Sequence, residues 1–181
     1  MTERSLPSSG RPAPAGDAMA EPTRLIVSGA PSMGLLSFKW RGANSMDALF
    51  GRLEFGVVHT FEDVDLALIA PGEVLAFPPK SRLSEVAELF GERAGECPHS
   101  LTDLTPGWCA LDVTGIGSSE AISNLGGVPR LFLFSADAVS AFWMSADRVI
   151  VRTMLPDKRY VVWISRSRLH SFPLKAGFSS D

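Results

Sequence analysis

The sequence predicts an α+β fold of mixed or antiparallel sheets with short helices, and three observations carry that expectation. Two apolar runs meet at Ala70-Pro71-Gly72-Glu73, and two more flank Pro156-Asp157-Lys158; each set reads as a β-hairpin. Between the hairpins, Leu83, Val86, Ala87 and Phe90 recur at helical spacing. The elements follow as strands, helix, strand, helix, strand, helix and hairpin. That order lacks the regular strand–helix alternation from which a parallel sheet is wound.

Met1–Pro22 holds Pro7, Pro12, Pro14 and Pro22 among Ser, Gly and Ala, with no apolar periodicity. It offers too little apolar surface to offset its ordering entropy and is expected to be a disordered tail. It has neither the apolar centre of a signal peptide nor the Arg-rich, acid-poor character of a transit peptide. Residues 23–181 then make one α+β domain, or two half-domains at about 23–98 and 99–181 sharing a core.

Arg24–Val27 and Leu35–Trp40 have the β-branched and aromatic content of strands, with a turn over Gly29–Gly34. Ser45–Gly51 spaces Met46, Leu49 and Phe50 as a short helix that Ser45 caps and Gly51 ends. Val64–Ile69 and Val74–Phe77 form the first hairpin, in which Pro71 and Gly72 suit the middle of a type II turn. Ser81 caps the next helix and Gly91 stands where a terminating glycine belongs. Trp108–Thr114 is a strand with Cys109, Leu111 and Val113 on one face, which is expected to pack on the Leu83–Phe90 helix. A short helix starts at Ser118 and is anchored by Ile122 and Leu125. Arg130–Phe134 returns as a strand, and Ser135 caps a helix using Val139, Phe142 and Trp143. Arg148–Leu155 and Arg159–Ile164 are the arms of the second hairpin.

Hydrophobic residues make up 45% and charged residues 20%, and no run approaches the roughly 18 apolar residues a membrane helix needs. With 17 basic and 20 acidic residues the net charge is −3, and no long basic block is present. Nucleic-acid binders rest on clustered Lys and Arg, so neither membrane nor nucleic acid is an expected partner. Cys97 and Cys109 make no disulfide framework; reduced, buried thiols in a cytoplasmic protein are expected.

The chemistry-bearing residues are sparse. No two of His59, His99 and His170 lie within helical reach of each other, and none has Glu or Asp at a zinc-ligand spacing. In Cys97-Pro98-His99 the intervening proline keeps neighbouring thiol and imidazole from pairing directly. Gly115-Ile116-Gly117-Ser118-Ser119 lacks the third glycine of a dinucleotide fingerprint and the Gly-Lys of a P-loop, so it reads as a tight strand-to-helix turn. Glu62, Asp63 and Asp65, and likewise Glu85, Glu88 and Glu92, read as solvated faces. Arg166-Ser167-Arg168 reads as a surface turn. Among the tryptophans Trp40, Trp108, Trp143 and Trp163, Trp143 and Trp163 are the candidates for a partner surface. No catalytic, cofactor-binding or metal-binding residue is expected in this chain.

Several of these segments resemble a known pattern. Asp103-Leu104-Thr105, Trp108, Leu111-Asp112-Val113-Thr114-Gly115 and Ile122–Leu125 are similar to the "Asp-Leu-Ser, strand, Ser/Thr-Gly, helix, Leu" segment of the aminomethyltransferase (glycine-cleavage T-protein) superfamily. Ala70-Pro71-Gly72-Glu73 with Val74–Phe77 resembles that family's "Gly-Pro-Asp-Glu-Trp-Leu" turn and strand. Tyr160–Ser167 looks like the closing "strand, Pro-Arg-Ser" of the gamma-type subunits of heterotetrameric sarcosine oxidases. The likeness spans about residues 23–172. Val74 departs from the family's Trp, Ile116-Gly117-Ser118 from its Pro-Asp-Ala, and Gly126–Arg130 replaces a longer segment.

The resemblance implies the folate-binding aminomethyltransferase-type fold. It also implies a non-catalytic gamma-type subunit of a flavin-dependent complex that oxidises sarcosine or a similar N-methyl amino acid. FAD, FMN, NAD and tetrahydrofolate would then sit on larger flavin- and folate-type partner subunits, with none in this chain. The alternatives are a stand-alone folate-binding protein of the same superfamily and an unrelated interaction module.

Overall fold

The computed structural model describes residues 25–30, 32–41, 46–128, 137–154 and 159–173. The expected tail, the strand at 130–134, the caps Ser45 and Ser135 and the turn at 156–158 lie outside them.

The chain is α+β, with two antiparallel sheets and few short helices. The C-terminal sheet contains β1 (Leu25–Gly29), β7 (Trp108–Gly115), β8 (Val139–Met144), β9 (Asp147–Met154) and β10 (Arg159–Ser165), ordered β1-β7-β10-β9-β8. The N-terminal sheet contains β2 (Leu36–Trp40), β3 (Val58–Phe61), β4 (Val64–Ala70), β5 (Glu73–Ala76) and β6 (His99–Asp103), ordered β3-β4-β5-β2-β6. Thus β1 joins the later strands, and β6 joins the earlier ones. Helix α1 (Asp47–Phe50) precedes β3, α2 (Leu83–Ala94) follows β5, and α3 (Ser118–Ser123) follows β7.

The alternation of side chains explains the layering. On β4 and β5, Val64, Leu66, Val74 and Ala76 face outward to Phe50 of α1 and to Val86 and Phe90 of α2. On β7, β9 and β10, Leu111, Val113, Val149, Val151, Tyr160 and Val162 face outward to Ile122 of α3. The other faces meet each other: Ala67 and Leu75 from the N-terminal sheet pack with Ile150, Val161 and Trp163 from the C-terminal one. Helices therefore cover two stacked sheets, and strands apolar on both faces follow from that burial.

The layer between the sheets is not purely apolar. Arg148, Ile150 and Arg152 share the inner face of β9, the arginines lying four positions apart. Arg152 is 4% exposed, and its Nη2 donates to Asp65 of β4 at 2.7 Å while its guanidinium lies 5.3 Å from the Phe77 ring centroid. Arg148 donates from Nη1 to Glu73 Oε1 at 2.8 Å, and the Ser37 hydroxyl donates to the same oxygen at 3.1 Å. Burial works against ionisation of Glu73, but Arg148, Ser37 and Lys39 together outweigh it and hold the carboxyl below its ordinary 4.5.

Several expectations need correction. The helix expected from Ser135 through Trp143 is strand β8 over Val139–Met144, with Val139 pairing Arg152 and Met144 pairing Asp147. Val139 and Ala141 face the inter-sheet layer while Phe142 and Met144 face the α3 layer, so both faces are apolar and mimic a helical spacing. Helix α2 runs past Gly91 to Ala94, because Ala94 is buried against the core; Gly95, at φ 56°, ends it. Ser81 does not cap it but lies in the preceding 3-10 turn Lys80–Arg82. Leu111 and Val113 pack on α3 rather than α2, since β7 belongs to the other sheet. Trp163 is core at 2% exposed.

The β4–β5 turn is as expected, with Gly72 at φ 75° and its carbonyl accepting the Trp40 amide at 2.8 Å. A Cβ on Gly72 would also stand 2.8 Å from the Trp40 carbonyl oxygen. Gly72→Ala should therefore cost about 1–3 kcal/mol. Gly91→Ala, inside a helix with open space around it, should stabilise by roughly 0.5–1 kcal/mol. Urea unfolding of both variants checks this, and a destabilised Gly91→Ala would restore the helix end at that residue.

Because the folded carboxyl of Glu73 is depressed, its contribution is present above 4.5 and lost as pH falls through the lower folded value. Glu73→Gln should cost about 1–3 kcal/mol at pH 7. The gap to the parent should close below pH 4.5 in unfolding curves measured across pH; a gap constant down to acid pH would contradict the pairing.

Candidate functional site

The surface of the C-terminal sheet carries the clearest recognition features. Among the described residues four large apolar side chains stand out from the surface: Ile116 at 72%, Trp143 at 71%, Phe55 at 62% and Ile26 at 43% exposure. Ile26 and Trp143 lie on the two edge strands of the C-terminal sheet, and Ile116 and Phe55 lie in loops. Ile26 lies on β1 opposite Thr114, and Ile116 follows Gly115 at the end of β7. Trp143 lies on β8, and Phe55 precedes Gly56, whose carbonyl accepts the Val139 amide at 2.8 Å.

The Val139 amide therefore points away from β9, and by strand alternation so do the amides of Ala141 and Trp143. An edge that combines outward amides with an exposed tryptophan is suited to receive a partner segment. Helix α3 enters this surface through Gly115 and Gly117, at φ 94° and 91°, which lift Ile116 out of the sheet. The Gly115–Ser119 stretch is thus the tight strand-to-helix turn that its sequence suggests, and Ser119 Oγ lies 2.6 Å from Tyr160 Oη.

The remaining candidates are structural in their contacts. His99 donates from Nδ1 to the Cys97 carbonyl at 2.9 Å and stacks on Phe38 at 5.7 Å, so the imidazole is engaged by the backbone rather than by the thiol. His59 Nε2 accepts the Glu54 amide at 3.0 Å, and His170 lies exposed in the 3-10 turn Arg166–Ser171. Cys97 and Cys109 are free and half-buried. Among the described residues no three His, Cys, Asp or Glu side chains cluster as a metal site would require. Glu85, Glu88 and Glu92 lie on the solvated side of α2.

Glu62 and Asp63 are the two turn residues between β3 and β4, at φ 46° and 62°, and Glu62 pairs with Arg93 of α2. Asp65 corrects the expectation of a solvated face: it accepts from Arg152 and from Thr60 Oγ1 at 3.0 Å. Sequence reasoning missed Glu73, Arg148 and Arg152. The available signal was the spacing of two arginines around Ile150 on one strand face, which demands acids on whatever packs there. Arg168 pairs with Asp147 at 2.6 Å, beside a cavity of about 330 Å³ between the β8–β9 turn and the last 3-10 turn.

No family model matches this sequence, and no curated protein matches it either. Solved structures do. One chain of the heterotetrameric sarcosine oxidase from Corynebacterium sp. U-96, in complex with pyrrole 2-carboxylate, superposes with a TM-score of 0.66 at 10% identity, covering 87% of each chain. The glycine cleavage system aminomethyltransferase T from Bartonella henselae superposes with a TM-score of 0.57 at 11% identity. That match covers 79% of this chain and 42% of the transferase, so this chain spans less than half of it. Among the described residues no helix is long and apolar enough to cross a membrane. At these identities the likeness speaks for architecture, and the chain has the aminomethyltransferase-type α+β fold.

Proposed function

We propose that this chain is a non-catalytic, gamma-type subunit of a flavin-dependent complex that oxidises sarcosine or a similar N-methyl amino acid in the cytoplasm. In this reading it packs against a folate-type large subunit of a heterotetramer, and the flavins, nicotinamide dinucleotide and folate reside on the partners. The observation that carries it is the match over the same 87% share of this chain and of a chain from a heterotetrameric sarcosine oxidase. Equal shares mean chains of similar length, whereas the aminomethyltransferase is nearly twice as long. The exposed Trp143 and the outward amides of β8 supply a docking edge for such a partner. A second reading, a self-sufficient folate-binding protein, draws on the likeness to the aminomethyltransferase.

Co-expression with a folate-type large subunit should yield a stable complex with a raised Tm and a tryptophan newly shielded from acrylamide. Trp143→Ser should weaken that complex about 10- to 100-fold and shift the stability of the lone chain by less than about 0.5 kcal/mol. A lone chain that binds a reduced folate, forms no complex and keeps Trp143 equally quenchable would favour the second reading.

A further inference from the structure

A cavity of about 170 Å³ opens at one end of the inter-sheet layer. Its floor comes from the C-terminal sheet: the end of β1 at Gly29, the start of β7 at Trp108–Ala110, and Trp163 of β10. The opposite wall is Leu35, Lys80 and Thr105, and Arg166 closes the rim just beyond β10. The walls are tied together by the backbone. The Ala30 amide donates to Ala110 at 2.9 Å, the Lys80 amide to Ser32 at 2.9 Å, and the Leu35 amide to Thr105 Oγ1 at 3.0 Å. Such a wall is fixed before anything enters it.

Its chemistry is one-sided. Lys80 and Arg166 are exposed cations, and no acidic side chain lines the cavity. Neither cation meets a carboxylate among the described residues, whereas Arg148, Arg152, Arg159 and Arg168 all do. Apart from the Thr105 hydroxyl and the Cys109 thiol, the rest of the lining is apolar or aromatic. Trp163 adds a buried indole Nε1–H that finds no acceptor among the described residues. The size is also restrictive. A cavity of about 150 Å³ holds one benzene, so this one has room for a single ring.

We propose that this cavity binds a compact monoanion carrying one planar ring, with its ring against the Trp108 and Trp163 floor and its carboxylate toward Lys80 and Arg166. The inference goes beyond the subunit reading and does not depend on it, because the cavity lies wholly within this chain. A charged oxygen gains from both cations at the rim, and the apolar walls favour the ring over a bare inorganic anion.

The test uses the full chain alone, titrated with benzoate, benzamide and inorganic phosphate, and followed by calorimetry and tryptophan fluorescence. Saturable benzoate binding is expected, at least roughly tenfold tighter than benzamide or phosphate. Lys80→Gln and Arg166→Gln remove exposed charges and should each weaken benzoate about fivefold or more while leaving Tm unchanged. The proposal is overturned if benzoate shows no saturable signal up to roughly 10 mM, if benzamide or phosphate binds as well, or if both variants bind benzoate like the parent. None of these outcomes touches the complex-formation experiment, so failure here and failure of the subunit reading remain distinguishable.

Discussion

The fold depends on how two sheets can face each other when the layer between them contains charge. Arg152 is nearly sealed from water, and an uncompensated guanidinium there would cost several kcal/mol. It is tolerated because Asp65 of the facing sheet takes its Nη2 and Phe77 accepts its planar face. Its Nε has no acceptor among the described residues, so the compensation is incomplete and the pairing geometry matters. Arg148 and Glu73 repeat the arrangement nearer the surface, with Ser37 and Lys39 drawing β2 into the same cluster. Apolar contact alone would let two flat faces slide; paired charges fix which residue of β9 stands over which residue of β4 and β5. That register in turn sets the cavity at one end of the layer and leaves β8 at the edge of its sheet.

The elements with local signals were legible in the sequence. The β4–β5 hairpin announced itself through Pro71-Gly72, and β9 and β10 through their apolar runs. The short helix α3 followed from Ile122 between glycines. What failed was whatever only tertiary partners decide. β8 is apolar on both faces, so Val139, Phe142 and Trp143 fall at helical spacing without forming a helix. β3 turns into β4 through Glu62-Asp63, two residues that adopt positive φ without the glycine that normally advertises such a turn. β6 is mostly exposed, with Leu101 its single partly buried apolar residue, so it carries no periodic pattern; its order comes from pairing with β2.

The functional reading was legible to a different degree. The segments resembling the aminomethyltransferase family fall on β4–β5, β7, α3 and β10, and the architecture agrees with that resemblance. Trp143 was singled out for a partner surface and stands exposed, while its companion Trp163 is core. Nothing in composition separates those two residues. Trp163 is inward because β10 is central in its sheet and its neighbours Ala110 and Ile150 are small enough or apolar enough to receive it; Trp143 sits on the edge strand β8, beyond Val139 and Ala141, which pack in the inter-sheet layer. The acid–arginine pairs between the sheets were missed because each residue alone reads as an ordinary surface charge; only the spacing of Arg148 and Arg152 around Ile150 on one strand face hinted at them.

The account stands or falls on whether those pairs hold the two sheets together, and a double-mutant cycle on Asp65 and Arg152 measures that directly. Asp65→Asn, Arg152→Gln and the double variant would be unfolded in urea at neutral pH. Coupling of about 1–3 kcal/mol is the predicted result, because Asp65→Asn leaves the nearly sealed Arg152 guanidinium with only the more distant Asp137 at 4.0 Å among the described residues. Additivity within about 0.5 kcal/mol would contradict it, and would leave apolar contact alone to hold the two sheets in register.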